Sequence, residues 1–269
     1  KNMKKILGLW LFILVVLLTG CSKNKIDDKV LVIGASASPH AEILEQARQY
    51  IEEQGYKLEI KVYNDYVLPN VALQEGELDA NFFQHLPYLN SFNEEQNTNL
   101  VSVFAVHYEP LGVYAGKSNS LTAIKEKATI AVPNDTTNYA RALLLLTALG
   151  IIEVDQSKGL LITSKDITSN PHQVEILPFE AAALPAQLVE VDYAVINGNY
   201  AVSANVSLDK LLGQEDALSV AAATYGNIIA VKEGNEQAEC IKVLIAALSQ
   251  PKIKTYIETS YQGTVLPLS

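Results

Sequence analysis

The stretch Val30-Leu31-Val32-Ile33-Gly34 is an unbroken apolar run that ends in glycine, and it decides the class of fold. Such a run predicts a strand buried on both faces, as in a parallel sheet. The pair Ser38-Pro39 opens a predicted helix, with the serine as N-cap and the proline in the first turn. Apolar residues then recur at helical spacing from Ile43 to Ile51, and Gly55 ends the helix. A strand followed by a helix predicts an α/β fold.

The same alternation continues in two runs that are separated near Glu109-Pro110. Repeated strand–helix units predict mostly parallel sheets, and two runs predict two lobes. The last strand and two helices are too short for a third domain, so we expect them to return to the first lobe. Two chain crossings then form a hinge and a cleft. The predicted organisation is a signal segment (1–20), a tether (21–28), a first lobe (29–108 with 227–269) and a second lobe (109–226).

The N-terminal segment has the layout of a secretory signal. Basic Met3-Lys4-Lys5 precedes an apolar run of about 13 residues, and small residues lead into Cys21. This ending resembles the lipobox of bacterial lipoproteins, in which the cysteine carries lipid. A transmembrane anchor is the first alternative, but it needs roughly 20 apolar residues. A simple secreted protein is the second alternative.

The composition limits the partners and the chemistry. The net charge of −10 argues against nucleic acid and against a basic patch on anionic lipid. The two cysteines are Cys21 and Cys240. With Cys21 assigned to lipid no disulfide is expected, and the helical pattern around Cys240 predicts a buried small hydrophobe. The four histidines are scattered without paired spacing, so no metal site and no cofactor are predicted.

Four polar and aromatic segments follow predicted strands, where ligands of α/β folds bind. No nucleophile–base arrangement and no phosphate-binding glycine loop accompanies them. The pattern therefore predicts a binding protein rather than an enzyme. The four segments are Tyr63–Tyr66, Asn81–His85, Pro133–Arg141 and Asn197–Tyr200.

Arg141 is the most informative single residue of these segments. The two arginines are Arg48 and Arg141, and Arg48 has acidic neighbours on its own helix face. Arg141 lies near a helix start, where the dipole disfavours a cation by about 0.3–1 kcal/mol. It either holds a ligand carboxylate through paired hydrogen bonds or forms an internal ion pair with Asp135 or Asp166.

Other candidate residues leave alternatives open. Strand alternation sends Phe82 and Phe83 to opposite faces, and it does not decide which of them faces the cleft. His85 could hydrogen-bond a ligand or satisfy a loop carbonyl. Asn197 and Asn227 could both bind the amino group of a ligand, or they could simply cap the ends of their strands.

Several segments together resemble the methionine-binding lipoproteins of the NlpA/MetQ family, the substrate-binding components of ABC importers. The similarity extends from the lipobox to the C-terminus. The segments that carry it are Pro39–Leu44, Asn64–Asn70, Leu78–His85, Ala131–Asp135, Asn138–Leu143 and Ile196–Ala201.

The resemblance implies a two-lobed periplasmic-binding-protein-like fold with a hinge and an interlobe cleft. It also implies a monomer that is anchored through lipidated Cys21 to the extracytoplasmic face of the cell membrane. It implies L-methionine as ligand and a permease and ATPase as partners. D-methionine, a methionine-containing dipeptide and a surface adhesin on the same fold are the alternatives. By position, Arg141 would hold the carboxylate and Asn197 and Asn227 the amino group or carboxylate. The side-chain wall would consist of Tyr66, Phe82, His85 and Tyr88.

Overall fold

The computed structural model describes residues 29–216, 223–261 and 263–268. The predicted signal segment, the tether and Cys21 lie outside the described residues. Within them the chain forms two lobes, each built around one sheet. No helix among these residues combines the length and apolar character that crossing a bilayer demands.

The sheet of the first lobe is mixed. Its strands are β1 (Val30–Ser36), β2 (Lys57–Tyr63), β3 (Ala80–His85), β4 (Leu100–Tyr108), β12 (Gly226–Lys232) and β13 (Leu266–Pro267). Their spatial order is β13-β4-β12-β3-β1-β2. β1 pairs in parallel with β2 and β3, whereas β12 inserts antiparallel between β3 and β4. Strands β1 to β4 run in one direction, as the predicted mostly parallel sheet requires, whereas β12, which enters from the second lobe, and β13 run in the opposite direction.

Helices cover both faces of this sheet. One face carries α1 (Glu42–Glu53), α7 (Glu239–Leu248) and α8 (Pro251–Ser260), and the other carries α2 (Leu68–Glu75) and α3 (Leu86–Gln96). Ser38 has an extended backbone, so a short turn (Ala37–Ala41) precedes the helix and α1 begins later than predicted. The bond between Ser38 and Pro39 is cis. Cys240 is buried in α7, as expected, and burial raises the pKa of its thiol to about 11.

The second lobe repeats this plan at smaller size. Its sheet has the order β11-β5-β10-β6-β9, with strands β5 (Gly112–Ala115), β6 (Thr129–Pro133), β9 (Glu175–Phe179), β10 (Tyr193–Ile196) and β11 (Leu211–Gln214). A separate pair joins β7 (Glu153–Val154) to β8 (Ile167–Ser169). Helix α4 (Thr136–Ala148) packs on one face, and α5 (Leu184–Gln187) and α6 (Gly198–Ser203) pack on the other. Short 3₁₀ turns span Gln156–Leu161, Ser164–Asp166, Ala181–Ala183 and Leu208–Lys210.

The strand ends place the predicted segments opposite one another. β3 ends at His85, and β6 leads through Asp135 into α4. β10 ends at Ile196, directly before Asn197. Because β4 leaves the first sheet and β12 returns to it, these ends face each other across the gap between the lobes.

Candidate functional site

A small cavity between the lobes gathers side chains from both of them. Its free volume is about 20 Å³, which is enough for roughly one water molecule. Polar and charged side chains line one part, and aromatic rings line another. The lining residues are Tyr66, Phe83, Gln84, His85, Tyr88, Glu109, Asn138, Arg141, Asn197, Gly198, Asn199 and Asn227.

Arg141 is held in this cavity by an acidic partner. Its Nε lies 2.8 Å from Oε1 of Glu215, and its Nη2 lies 2.6 Å from Oε2 of the same carboxylate. Nη2 also donates to the backbone oxygen of Glu109, and the guanidinium carbon sits 4.1 Å from the ring centroid of Tyr225. The side chains of Arg141 and Glu215 are only 4% and 9% exposed. The paired geometry expected of an arginine clamp is therefore present, with an internal carboxylate in it.

The alternative ion pairs that the sequence suggested for Arg141 are wrong. Asp135 caps α4 by accepting from the backbone nitrogen of Asn138, and Asp166 accepts from the backbone nitrogen and the hydroxyl of Thr163, which caps a surface turn. Both aspartates satisfy nearby backbone groups, so neither is available to the guanidinium.

The Arg141–Glu215 pair is ionised on both sides. Burial opposes the charge on Arg141, but the Glu215 carboxylate outweighs it and the pKa of the guanidinium rises. Burial likewise opposes the charge on Glu215, and the guanidinium with bonds from Tyr108 and Leu111 lowers the pKa of that carboxyl. Replacing only one residue of such a buried pair is strongly destabilising, because the remaining charge is neither paired nor solvated.

Asn138 connects the two lobes through its side chain. Its Oδ1 lies 3.1 Å from Nε2 of His85 and 3.0 Å from Nδ2 of Asn197. Its Nδ2 donates to Asp135. Nδ1 of His85 accepts from the backbone nitrogen of Tyr88, so Nε2 carries the ring proton and donates to Asn138. His85 thus caps α3 and bridges the lobes, and burial together with the nearby Arg141 lowers its pKa to about 3.

The side-chain oxygens of Asn197 and Asn227 differ in whether they have a hydrogen-bond partner. Asn197 does not cap α6 with its side chain, and its buried Oδ1 has no hydrogen-bond partner among the described residues. Asn227 accepts through Oδ1 from Nε2 of His40 at 2.9 Å. Capping of strand or helix ends therefore does not explain either side chain.

Aromatic rings form the opposite wall. The ring centroids of Tyr66, Phe83 and Tyr88 lie 5.6–6.1 Å apart. The hydroxyl of Tyr66 reaches Oδ1 of Asn199 in the other lobe at 2.5 Å. Phe82 points to the far face of the sheet, where its ring packs 4.6 Å from that of His40. Including Phe82 in the wall was therefore wrong, and strand alternation puts Phe83 there instead.

A family model described as NlpA lipoprotein matches residues 31–269 of this chain. The chain belongs to the NlpA lipoprotein family. The methionine-binding lipoprotein MetQ of Bacillus subtilis is 38% identical to it over 99% of this chain and 100% of that protein.

Solved structures share the fold of this NlpA lipoprotein. A nutrient-binding protein from Burkholderia cenocepacia bound to methionine is 36% identical, with a TM-score of 0.84 over 89% of this chain and 100% of that one. Lipoprotein Tp32 from Treponema pallidum is 38% identical, with a TM-score of 0.83 over 88% of this chain and 98% of that one. The predicted family and the two-lobed α/β fold are thereby confirmed.

A second, larger groove also lies between the lobes of this NlpA lipoprotein. It measures about 770 Å³ and shares Asn199 with the cavity. Exposed Lys210 is the one charged residue of its lining. The smaller cavity is therefore the candidate site, since buried charge and unpaired polar atoms occur there.

The cavity of this NlpA lipoprotein brings together six of the seven side chains predicted for ligand binding, with Phe82 the exception. Their roles toward a ligand stay predictions. Sequence reasoning did not identify Glu109 or Glu215 as members of the site, and it left open whether Phe82 or Phe83 faces the cleft. Asn138 lay inside a segment that was already singled out, whereas Glu215 lies 74 residues from Arg141 without any local signal.

Proposed function

We propose that this chain is a lipid-anchored substrate-binding protein of an ABC importer that captures L-methionine between its lobes. Membership of the NlpA lipoprotein family and the relatives named for methionine support this function. The observation that carries it is the buried guanidinium of Arg141, which shares one interlobe cavity with a wall of aromatic rings. A cation at one end and rings at the other suit an amino acid with an apolar tail.

The carboxylate of the ligand binds at the Arg141 end. Glu215 occupies the edge formed by Nε and Nη2, and Nη1 makes none of the hydrogen bonds that hold the guanidinium within the described residues. The ligand therefore meets Nη1 rather than the full two-point clamp that the sequence suggested. Glu215 keeps the guanidinium in place before the ligand arrives.

The amino group of the ligand binds to side-chain oxygen atoms of Asn197 and Glu109. The unpaired Oδ1 of Asn197 is a buried acceptor, and the carboxyl of Glu109 lines the same cavity. Burial raises the pKa of the Glu109 carboxyl, and an ammonium group beside it would favour its charged form.

The thioether lies against Tyr66, Phe83 and Tyr88. Contacts of sulfur with aromatic rings contribute roughly 0.3–1.5 kcal/mol each. His85 closes this wall near the polar end, where its neutral ring adds contact without adding charge.

The lobes separate to admit the ligand, because about 20 Å³ is too little for an amino acid. Separation breaks the bonds of Tyr66 to Asn199 and of His85 to Asn138. Closure over the ligand removes water and strengthens the charge interactions as the local dielectric constant falls. The permease then recognises the closed form, which differs in shape from the open one.

The remaining parts of the proposal concern the rest of the molecule. Cys21 carries the lipid and holds the protein on the extracytoplasmic face of the membrane. The lobes comprise 29–108 with 227–269 and 109–226. The protein acts as a monomer and catalyses no reaction, and it passes its ligand to a permease driven by an ATPase.

Isothermal titration calorimetry of protein freed of ligand by unfolding and refolding tests the proposal. L-methionine should bind, and leucine and glutamate should not. D-methionine is the necessary comparison, because a relative from Salmonella typhimurium with 36% identity is named for that ligand. Preference for D-methionine or for glycyl-methionine would replace the ligand in the proposal, and binding of none of the three would overturn it.

A further inference from the structure

A buried polar cluster adjoins the cavity, and Asn227 is its one member that the sequence predicted as a site residue. It joins His40, from the turn before α1, to His107 and Glu109 at the end of β4 and to Asn227 in β12. His40 and His107 are both 0% exposed. Nε2 of His40 lies 2.9 Å from Oδ1 of Asn227 and 3.5 Å from Oε1 of Glu109, and Nε2 of His107 lies 2.7 Å from that same carboxylate oxygen.

The position of the ring proton on His40 follows from its unpaired nitrogen. Nδ1 is buried and has no hydrogen-bond partner among the described residues. A proton there would be a buried, unpaired N–H, which costs the full desolvation of that donor. The proton therefore sits on Nε2, and Nε2–H donates to Oδ1 of Asn227. The reversed amide would set the Asn227 amino group against this N–H, donor against donor.

His107 obeys the same logic. Its Nδ1 is also buried without a partner in the described part of the chain, so its proton sits on Nε2 and is donated to Glu109. Each imidazole thus orients one group that lines the cavity.

Metal binding is the rival explanation for this cluster. One ligand atom from each of His40, His107 and Glu109 lies within 4.8 Å of the others. Coordination through both Nε2 atoms would move each ring proton to Nδ1, and metal-bound histidines donate that proton to a second group. Neither Nδ1 has such an acceptor among the described residues. The cluster therefore suits hydrogen bonding better than coordination.

We infer that His40 is a positioning residue that fixes the amide of Asn227 with its amino group toward the cavity, so that Asn227 binds the ligand carboxylate. This inference rests on the proposed function. It settles which end of the ligand Asn227 serves, since an amino group cannot accept from the ligand ammonium. His40 acts through Asn227 and does not itself line the cavity.

A double-mutant cycle tests the coupling, with L-methionine affinity as the readout. His40→Phe removes the donor and should weaken binding about tenfold, the loss typical of one well-placed hydrogen bond. In an Asn227→Ala background the same change should alter affinity by less than about twofold. His40→Gln, whose Nε2 can stand where the imidazole Nε2 stood, should restore binding to within about threefold. Equal effects of His40→Phe in both backgrounds would mean a general structural role and would overturn the inference.

The tautomer of His40 provides a second test, which can be measured on the unaltered protein without ligand. Nitrogen NMR of the full chain with ¹⁵N-labelled histidine distinguishes Nε2–H from Nδ1–H rings. We expect His40 and His107 as Nε2–H tautomers, unchanged by added Zn²⁺. A proton on Nδ1 of His40, or a shift of both rings on adding Zn²⁺, would overturn the inference. Failure of L-methionine to bind with the expected tautomers would instead count against the proposed function alone.

Discussion

Arg141 carries a buried positive charge and is stabilised by a carboxylate from a distant part of the chain. Glu215 holds two of its nitrogens, so removal of the guanidinium affects the fold as well as the site. In the proposed site one residue serves two purposes, because the edge that Arg141 gives to Glu215 orients Nη1, the nitrogen that it offers to the ligand. A substitution here has to be measured for stability and for binding separately.

Arg141→Ala should lose at least tenfold in L-methionine affinity and should also lower the free energy of unfolding by about 3–5 kcal/mol, because Glu215 is left as an unpaired buried charge. Calorimetry and urea denaturation measure the two effects. Arg141→Ala combined with Glu215→Gln should regain much of the stability without regaining the affinity.

Arg48→Ala is the matched control for this prediction. Arg48 pairs with Glu45 and Glu52 at the surface, where ion pairs contribute about 0–1 kcal/mol. Its affinity for L-methionine should equal that of the unaltered protein. Unchanged binding by Arg141→Ala would remove Arg141 from the site.

Helix α4 is the element that positions the polar end of the site. Asp135 caps it by accepting from the backbone and side-chain nitrogens of Asn138. Asn138 in turn accepts from His85 and Asn197. The helix cap and the interlobe contacts therefore depend on one another.

Asp135→Ala should lower the free energy of unfolding by about 1 kcal/mol, the usual value of an N-cap. It should also weaken L-methionine binding severalfold, since Asn138 loses the group that orients it. Asp155→Ala is the control, because Asp155 makes the same kind of cap at an exposed turn in the second lobe. Equal affinity losses in the two variants would contradict the link between the cap and the site.

Gly198, the first residue of α6, lets two elements approach closely. A Cβ atom there would lie 2.8 Å from Cβ of Glu109. Gly198→Ala should therefore destabilise the protein by about 1–3 kcal/mol, as overpacking does. Thermal unfolding measures the loss, and Ser203→Ala on the exposed part of the same helix should have little effect. An unchanged melting temperature for Gly198→Ala would show that the packing adapts.

Three buried histidines make the stability of the whole molecule depend on pH. Burial lowers the pKa of His40 to about 4 and the pKa values of His85 and His107 to about 3. Below their ordinary value near 6.5 the unfolded chain binds more protons than the folded one, so stability falls as the pH drops from about 6.5 toward 4. The raised pKa values of Glu109 and Asp135 act in the opposite direction above about 4.5, because there the folded state holds the extra proton.

Urea denaturation at pH 7, 6 and 5 should therefore show a net loss of stability toward acid. Each histidine contributes a slope of about 1 kcal/mol per pH unit within its window, reduced by the two carboxyls. In His85→Gln the free energy of unfolding should depend less steeply on pH, because about one fewer proton is taken up on unfolding. The same slope in His85→Gln as in the unaltered protein would show that this ring does not carry the predicted pKa shift.

Local sequence was sufficient for much of the architecture. Apolar runs such as Val30–Gly34 and the helical spacing of α4 depend on neighbouring residues, so period and end signals identify them. The segments after strands were found for the same reason, and they supply four of the six predicted side chains that line the cavity. Family membership also followed from the sequence, because several short motifs that resemble those of the family occur together along the chain.

Tertiary structure alone decided how distant parts combine. The antiparallel insertion of β12 depends on the direction in which the chain returns, which no local period records. The choice of Phe83 over Phe82 depends on which face of β3 turns toward the other lobe. Glu215 meets Arg141, and His40 meets Asn227, across 74 and 187 residues of chain. Burial makes these contacts decisive, because a charge or an N–H removed from water must find its partner wherever the fold brings one.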